Sequence, residues 1–189
     1  MDSLVVSFAV IFVAELGDKS QLMALAFAAR YRAAPVLVGI TLATAVVHAL
    51  SVAVGVVMEA QLPTRAINVA AGIAFFGFAA WTIRGDRLGD ADEARASRRA
   101  RSAVAAASVA FFLAELGDKT MLATITLATT EGALATWAGS TAGMVAADAL
   151  AIVAGNRLGA RFPERWIRRA AALSFVVFGG LLLAEGVLA

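Results

Sequence analysis

The sequence predicts an all-α polytopic membrane protein whose six transmembrane helices form two inverted three-helix repeats. Three observations carry that fold class. Six apolar runs are each long enough to cross about 30 Å of hydrocarbon. Thirteen of the fourteen arginines fall on one side of those runs, and the chain repeats itself at an offset of 100 residues. Composition agrees: 61% of the 189 residues are hydrophobic and 16% are charged, with a mean hydropathy of +0.82. A soluble domain is about half apolar and about a quarter charged. The lack of cysteine excludes a disulfide-stapled secreted domain and a thiolate metal or redox site. The pI near 9.7 arises from arginines in short loops between apolar runs, which is a topology signal rather than a nucleic-acid footprint.

The first run, 4–29, begins almost at Met1 with neither a basic leader nor a small-residue cleavage site, so it reads as a span and not a signal peptide. It carries Glu15, Asp18 and Lys19 near its middle. The second run, 36–58, follows Arg30 and Arg32 and carries His48; the third, 66–83, follows Pro63 and Arg65. These make a first repeat over 1–83. Residues 84–102, RGDRLGDADEARASRRARS, are the one extended polar stretch and read as a solvated cytoplasmic linker. The second repeat, 103–189, holds the runs 104–129, 134–156 and 167–187, with Glu115, Asp118 and Lys119 in the first of them and Asp148 in the second. Trp81, Trp137 and Trp166 fit an interfacial belt. Glu59, Glu131 and Glu185 fall near span ends, where water solvates them.

Orientation follows from the arginines. The loops after runs one, three and five hold all but Arg65, so the positive-inside rule makes that side cytoplasmic and puts both termini outside. The repeat is equally direct. Phe12-Val-Ala-Glu-Leu-Gly-Asp-Lys-Ser20 recurs as Phe112-Leu-Ala-Glu-Leu-Gly-Asp-Lys-Thr120, and the same offset aligns Gly39 with Gly139, Pro63 with Pro163 and Phe75 with Phe175. Three spans per half force the second half to enter the membrane from the opposite side. Many secondary transporters use that architecture for alternating access.

Six ionisable groups at mid-span depth are expensive, at least about 2.5–3.5 kcal/mol each on insertion scales. On a continuous helix, Glu15, Asp18 and Lys19 would share about a 100° arc, with Gly17 roughly opposite, where it permits a close crossing or a local break. The inverted halves would bring both faces to the midplane and gather four carboxylates, Glu15, Asp18, Glu115 and Asp118, around one site. Clustered carboxylates repel unless a cation or protons neutralise them. Oxygen ligands without cysteine or a histidine pair favour a hard divalent ion such as Ca²⁺, Mn²⁺ or Mg²⁺. Ser20, Gln21 and Thr120 offer neutral ligands or supporting hydrogen bonds. Lys19 and Lys119 are the chain's only lysines. They are read either as i,i+4 partners of Glu15 and Glu115 or as tethered cations that take the carboxylates when the metal leaves. With all six groups ionised the site carries two net negative charges, which one divalent cation or two protons neutralise. His48 and Asp148 occupy corresponding places and are candidate proton-relay residues. Gly39, Gly139, Thr41 and Thr141 read as helix-packing residues.

The pattern Glu-x-Gly-Asp-[Lys/Arg]-[Ser/Thr], present as Glu15–Ser20 and as Glu115–Thr120, resembles the Golgi-type Ca²⁺/Mn²⁺:H⁺ exchanger family, also called uncharacterised protein family 0016. The resemblance covers essentially the whole chain. It implies cation binding by Glu15, Asp18, Glu115 and Asp118, with Mn²⁺ or Ca²⁺ as cargo, H⁺ as coupling ion and no tightly bound cofactor. The stretch Gly143–Asp148 is also similar to family members. The short chain is similar to prokaryotic members, some of which export manganese, which implies the plasma (inner) membrane. The expected function is therefore a non-enzymatic secondary antiporter, in the lipid bilayer, exporting a divalent cation against protons. A six-helix exporter of small organic solutes is the alternative, although such a site wants fewer acids. An intramembrane metal-dependent hydrolase is weaker still, since the sequence has no His-Glu-x-x-His motif and no Ser/His pair.

Overall fold

The computed structural model describes residues 2–84, 102–158 and 164–188. Among them are eight α-helices and no strand: α1 (Ser3–Glu15), α2 (Lys19–Arg30), α3 (Ala33–Gln61), α4 (Thr64–Arg84), α5 (Ala103–Glu115), α6 (Lys119–Ala128), α7 (Ala133–Leu158) and α8 (Glu164–Leu188). The linker expected at 84–102 lies outside the described residues except at its two ends.

Two of the described helices, Ala33–Gln61 and the Ala133–Ala154 part of α7, are long and apolar enough to cross a membrane. At 1.5 Å per residue α3 extends about 43 Å. The runs 4–29 and 104–129 are not continuous helices. Each is cut at its motif, into α1 and α2 and into α5 and α6. The cause is local. Leu16 and Leu116 take extended conformations, and Gly17 and Gly117 turn the chain at φ +77° and +78°, where a Cβ is disfavoured. Asp18 then starts α2 as its N-cap, its carboxylate accepting from Lys19 N at 2.7 Å. The one-face placement of Glu15, Asp18 and Lys19 on a helical wheel is thereby corrected, because residues 16–18 are not helical.

The two halves interlock. α1 lies along α7 and α5 along α3; α2 also packs on α7, α6 on α3, and α4 on α8. Small residues permit the close approach. A Cβ on Gly39 would stand 2.6 Å from the Val104 carbonyl oxygen of α5, and one on Gly139 would meet the Leu4 carbonyl oxygen of α1. Both glycines are therefore the packing residues their places in the sequence implied. Between α4 and α8 an aromatic cluster takes over, with Phe75 and Phe175 rings edge to face at 5.7 Å. Ile11, Ile40, Phe111 and Met144 are fully buried in the hydrophobic core.

Candidate functional site

Each motif sits where one helix ends and the next begins, so helix ends with their partial charges lie at the buried motif acids. Glu15 closes α1 and Glu115 closes α5; both are buried, as are Asp18 and Asp118. Ser20 Oγ donates to Glu15 Oε2, and Thr120 Oγ1 donates to Glu115 Oε2 at 2.9 Å. The equivalent hydroxyls thus orient equivalent carboxylates.

The lysines do not behave as i,i+4 partners of the glutamates. They cross between the halves: Lys19 Nζ lies 2.7 Å from Asp118 Oδ1, and Lys119 Nζ lies 2.7 Å from Asp18 Oδ2. The chief charged neighbour of each lysine is accordingly an aspartate of the opposite motif. Glu115 is within electrostatic reach of Glu15, Asp118 and Asp18, so the four acids form one interacting set. Among the described residues, no three His, Asp and Glu side chains are grouped to hold one metal ion.

The halves differ at two corresponding places. Gln21 bridges the first break, its Oε1 accepting from Gly17 N at 2.8 Å while its Nε2 donates to the Ala147 carbonyl of α7 at 2.9 Å. In the second half Met121 occupies that position, and Gly117 N donates to its Sδ at 3.2 Å. The other difference is His48 and Asp148. His48 is buried with Nδ1 3.4 Å from Thr141 Oγ1, a polar contact to α7 and not to the motif acids. Asp148 is fully buried, interacts electrostatically with Glu15 and Asp18, and neither of its oxygens has a hydrogen-bond partner among the described residues. The outer oxygens Glu15 Oε1, Glu115 Oε1 and Asp118 Oδ2 likewise lack a hydrogen bond. A buried anion without hydrogen bonds is strongly disfavoured, so these oxygens have capacity for a proton or a cation.

Sequence reasoning placed all of these side chains except two contributors, the Ala147 carbonyl and the Met121 sulfur. The Gln21/Met121 mismatch at the 100-residue offset was the available signal for the second. The Ala147 carbonyl has no signature, because a backbone group becomes visible only once α2 is docked on α7.

Comparison with known proteins identifies a family. The family model described as "Divalent cation/proton antiporter GDT1" matches residues 3–90 and 103–189. A Vibrio cholerae protein named "Putative manganese exporter" is 34% identical over 180 residues, covering 94% of this chain and 88% of that protein. A GDT1-like protein of Synechocystis is 32% identical over 186 residues, 89% of this chain and 90% of its own. The chloroplastic protein PAM71 of Arabidopsis thaliana is 31% identical over 206 residues, covering 95% of this chain but 56% of its own length. No solved structure matches. The resemblance carried by the two hexapeptides therefore holds over both halves, and the chain belongs to the GDT1 family.

Proposed function

We propose that the chain is a secondary antiporter of the prokaryotic inner membrane that exports a divalent cation, Mn²⁺ and/or Ca²⁺, from the cytoplasm in exchange for H⁺. It works as six spans in two inverted repeats, with both termini outside, and the halves rock about a midplane site. Glu15, Asp18, Glu115 and Asp118 bind the cation, while Asp148 and His48 serve as proton-relay residues. The observation that carries this reading is the convergence of both motifs: four buried carboxyl groups from opposite halves form one electrostatic set at four helix ends. The family description and the name of the Vibrio relative support a divalent cation, and manganese in particular.

The charge balance sets the expected coupling. Four carboxylates against two lysines leave two negative charges, so one divalent cation in place of two protons keeps the site neutral. Vesicles containing the purified protein and an internal pH dye test this. Adding Mn²⁺ or Ca²⁺ outside should drive proton efflux, which Glu15→Gln and Asp118→Asn should abolish. Metal entry without proton movement would refute the exchange, and a turnover current that reverses with membrane potential would refute its neutral stoichiometry.

A further inference from the structure

The crossed ion pairs do more than balance charge. We propose that Lys19–Asp118 and Lys119–Asp18 form a latch between the two halves: in the metal-free protein each lysine is a tethered counter-cation seated on the opposite aspartate, and the transported cation unties the halves by displacing both. The inference rests on the exporter reading and adds to it the event that couples binding to movement.

Four facts carry it. Both nitrogen–oxygen distances are 2.7 Å, the length of a charge-assisted bond, and the Lys119–Asp18 pair is removed from solvent at 3% and 1% side-chain exposure. The chain uses arginine at fourteen positions and lysine at these two alone. An ammonium is a compact point charge, closer to a metal ion than a forked guanidinium is, and a competing cation displaces it without first prising apart a bidentate pair. Among the described residues no three acids are grouped to hold an ion in this arrangement, in which both ammonium groups are seated on aspartates. Finally, each lysine belongs to the half opposite its aspartate. Had each paired within its own motif, displacement would leave the link between the halves untouched.

The energetics follow. A tethered ammonium competes at an effective concentration in the millimolar range or above, far beyond that of the free metal. The divalent ion wins because it brings two charges and fills the oxygens that lack hydrogen bonds. A ligand shifts a conformational equilibrium only through unequal affinity for its two states. The latch supplies that inequality, since the latched arrangement has no metal site and the unlatched one does.

The test is binding by the full chain in detergent, read separately from transport. Titration calorimetry with Mn²⁺ should show Lys19→Gln and Lys119→Gln binding about tenfold or more tightly than wild type, because the internal competitor is gone. Affinity that is unchanged or weaker in both variants, with wild type still binding, removes the latch and leaves the exporter reading standing. Failure of wild type and both variants to bind Mn²⁺ removes both. If either variant fails to fold, the wild-type protein decides. With ¹⁵N-lysine it has two side-chain ammonium signals, and saturation with Cd²⁺, a diamagnetic probe, should shift both out of their paired positions. Two signals unmoved at saturation would overturn the proposal.

Discussion

Gln21 Nε2 donates to the Ala147 carbonyl at 2.9 Å, which ties the break in the first motif to the residue beside Asp148. The same side chain accepts from Gly17 N at 2.8 Å, so one amide closes the turn and docks it on α7. Gln21→Leu would leave the part-buried Gly17 N–H without its acceptor and remove the side-chain bond to the helical Ala147 carbonyl. The expected loss is about 1–3 kcal/mol, seen as a lower melting temperature. Gln21→Met should lose less, because Met121 already accepts from the equivalent Gly117 N in the second half. Equal destabilisation by Leu and Met would show that the sulfur contact contributes nothing.

Asp148→Asn separates stability from function. The carboxyl is fully buried with no hydrogen bond to either oxygen among the described residues, so a neutral amide of the same shape should leave the melting temperature equal or higher. Exchange should nevertheless fall at least about tenfold, the usual scale for a lost proton-transfer group. A variant that melts lower yet exchanges normally would assign Asp148 to the scaffold.

Gly117→Ala and Gly139→Ala probe two different constraints. A Cβ on Gly117 meets nothing within 4 Å, so the cost lies in its φ of +78° and amounts to about 1–2 kcal/mol. At Gly139 the backbone is helical, but the Cβ would collide with the Leu4 carbonyl oxygen and stand 2.9 Å from Ser7 Cβ. Relieving that contact forces α1 away from α7, and overpacking of this kind costs about 1–3 kcal/mol. Melting curves in detergent measure both. The distinguishing result is Gly139→Ser, which should be worse than Ala, whereas Gly117→Asn should be milder than Gly117→Ala because asparagine tolerates positive φ.

Thr120→Ser and Thr120→Ala test whether the hydroxyl orients Glu115. Serine keeps the 2.9 Å donor and should retain exchange within about twofold, while alanine leaves Glu115 Oε2 without it and should cost about 1–3 kcal/mol in binding. Vesicle exchange and Mn²⁺ titration on the same preparations check this. Equal rates in the two variants would mean that the hydroxyl has no part in setting the carboxylate.

How much of this was legible in the sequence depends on the range of the interaction. The helical class was readable from the apolar runs, both acid clusters from Glu15–Ser20 and Glu115–Thr120, and the packing glycines from the 100-residue repeat, whereas the pairing of each hydroxyl with its glutamate was not. The helix breaks were only half readable: Gly17 marks a possible turn, but a mid-helix glycine fits a close crossing equally well, and the positive φ decides. The destination of the lysines was not readable. An i,i+4 partner lies four residues away and is always proposed first, whereas Asp118 becomes the partner of Lys19 only because α1 lies on α7 and α5 on α3. Asp148 stood out by its charge, yet its lack of hydrogen bonds is a property of the folded interior.

The interlocked packing also imposes an order on biosynthesis. Asp18 leaves the ribosome about a hundred residues before Lys119, and α1 before the α7 surface on which it lies. At about 5–20 residues per second the first motif waits roughly 5–20 s for its partner. During that interval its acids and lysine have only one another, water at the insertion machinery, or lipid headgroups to satisfy them. Completion of the first motif's ion pairing therefore waits on residues of the second half, Lys119 above all.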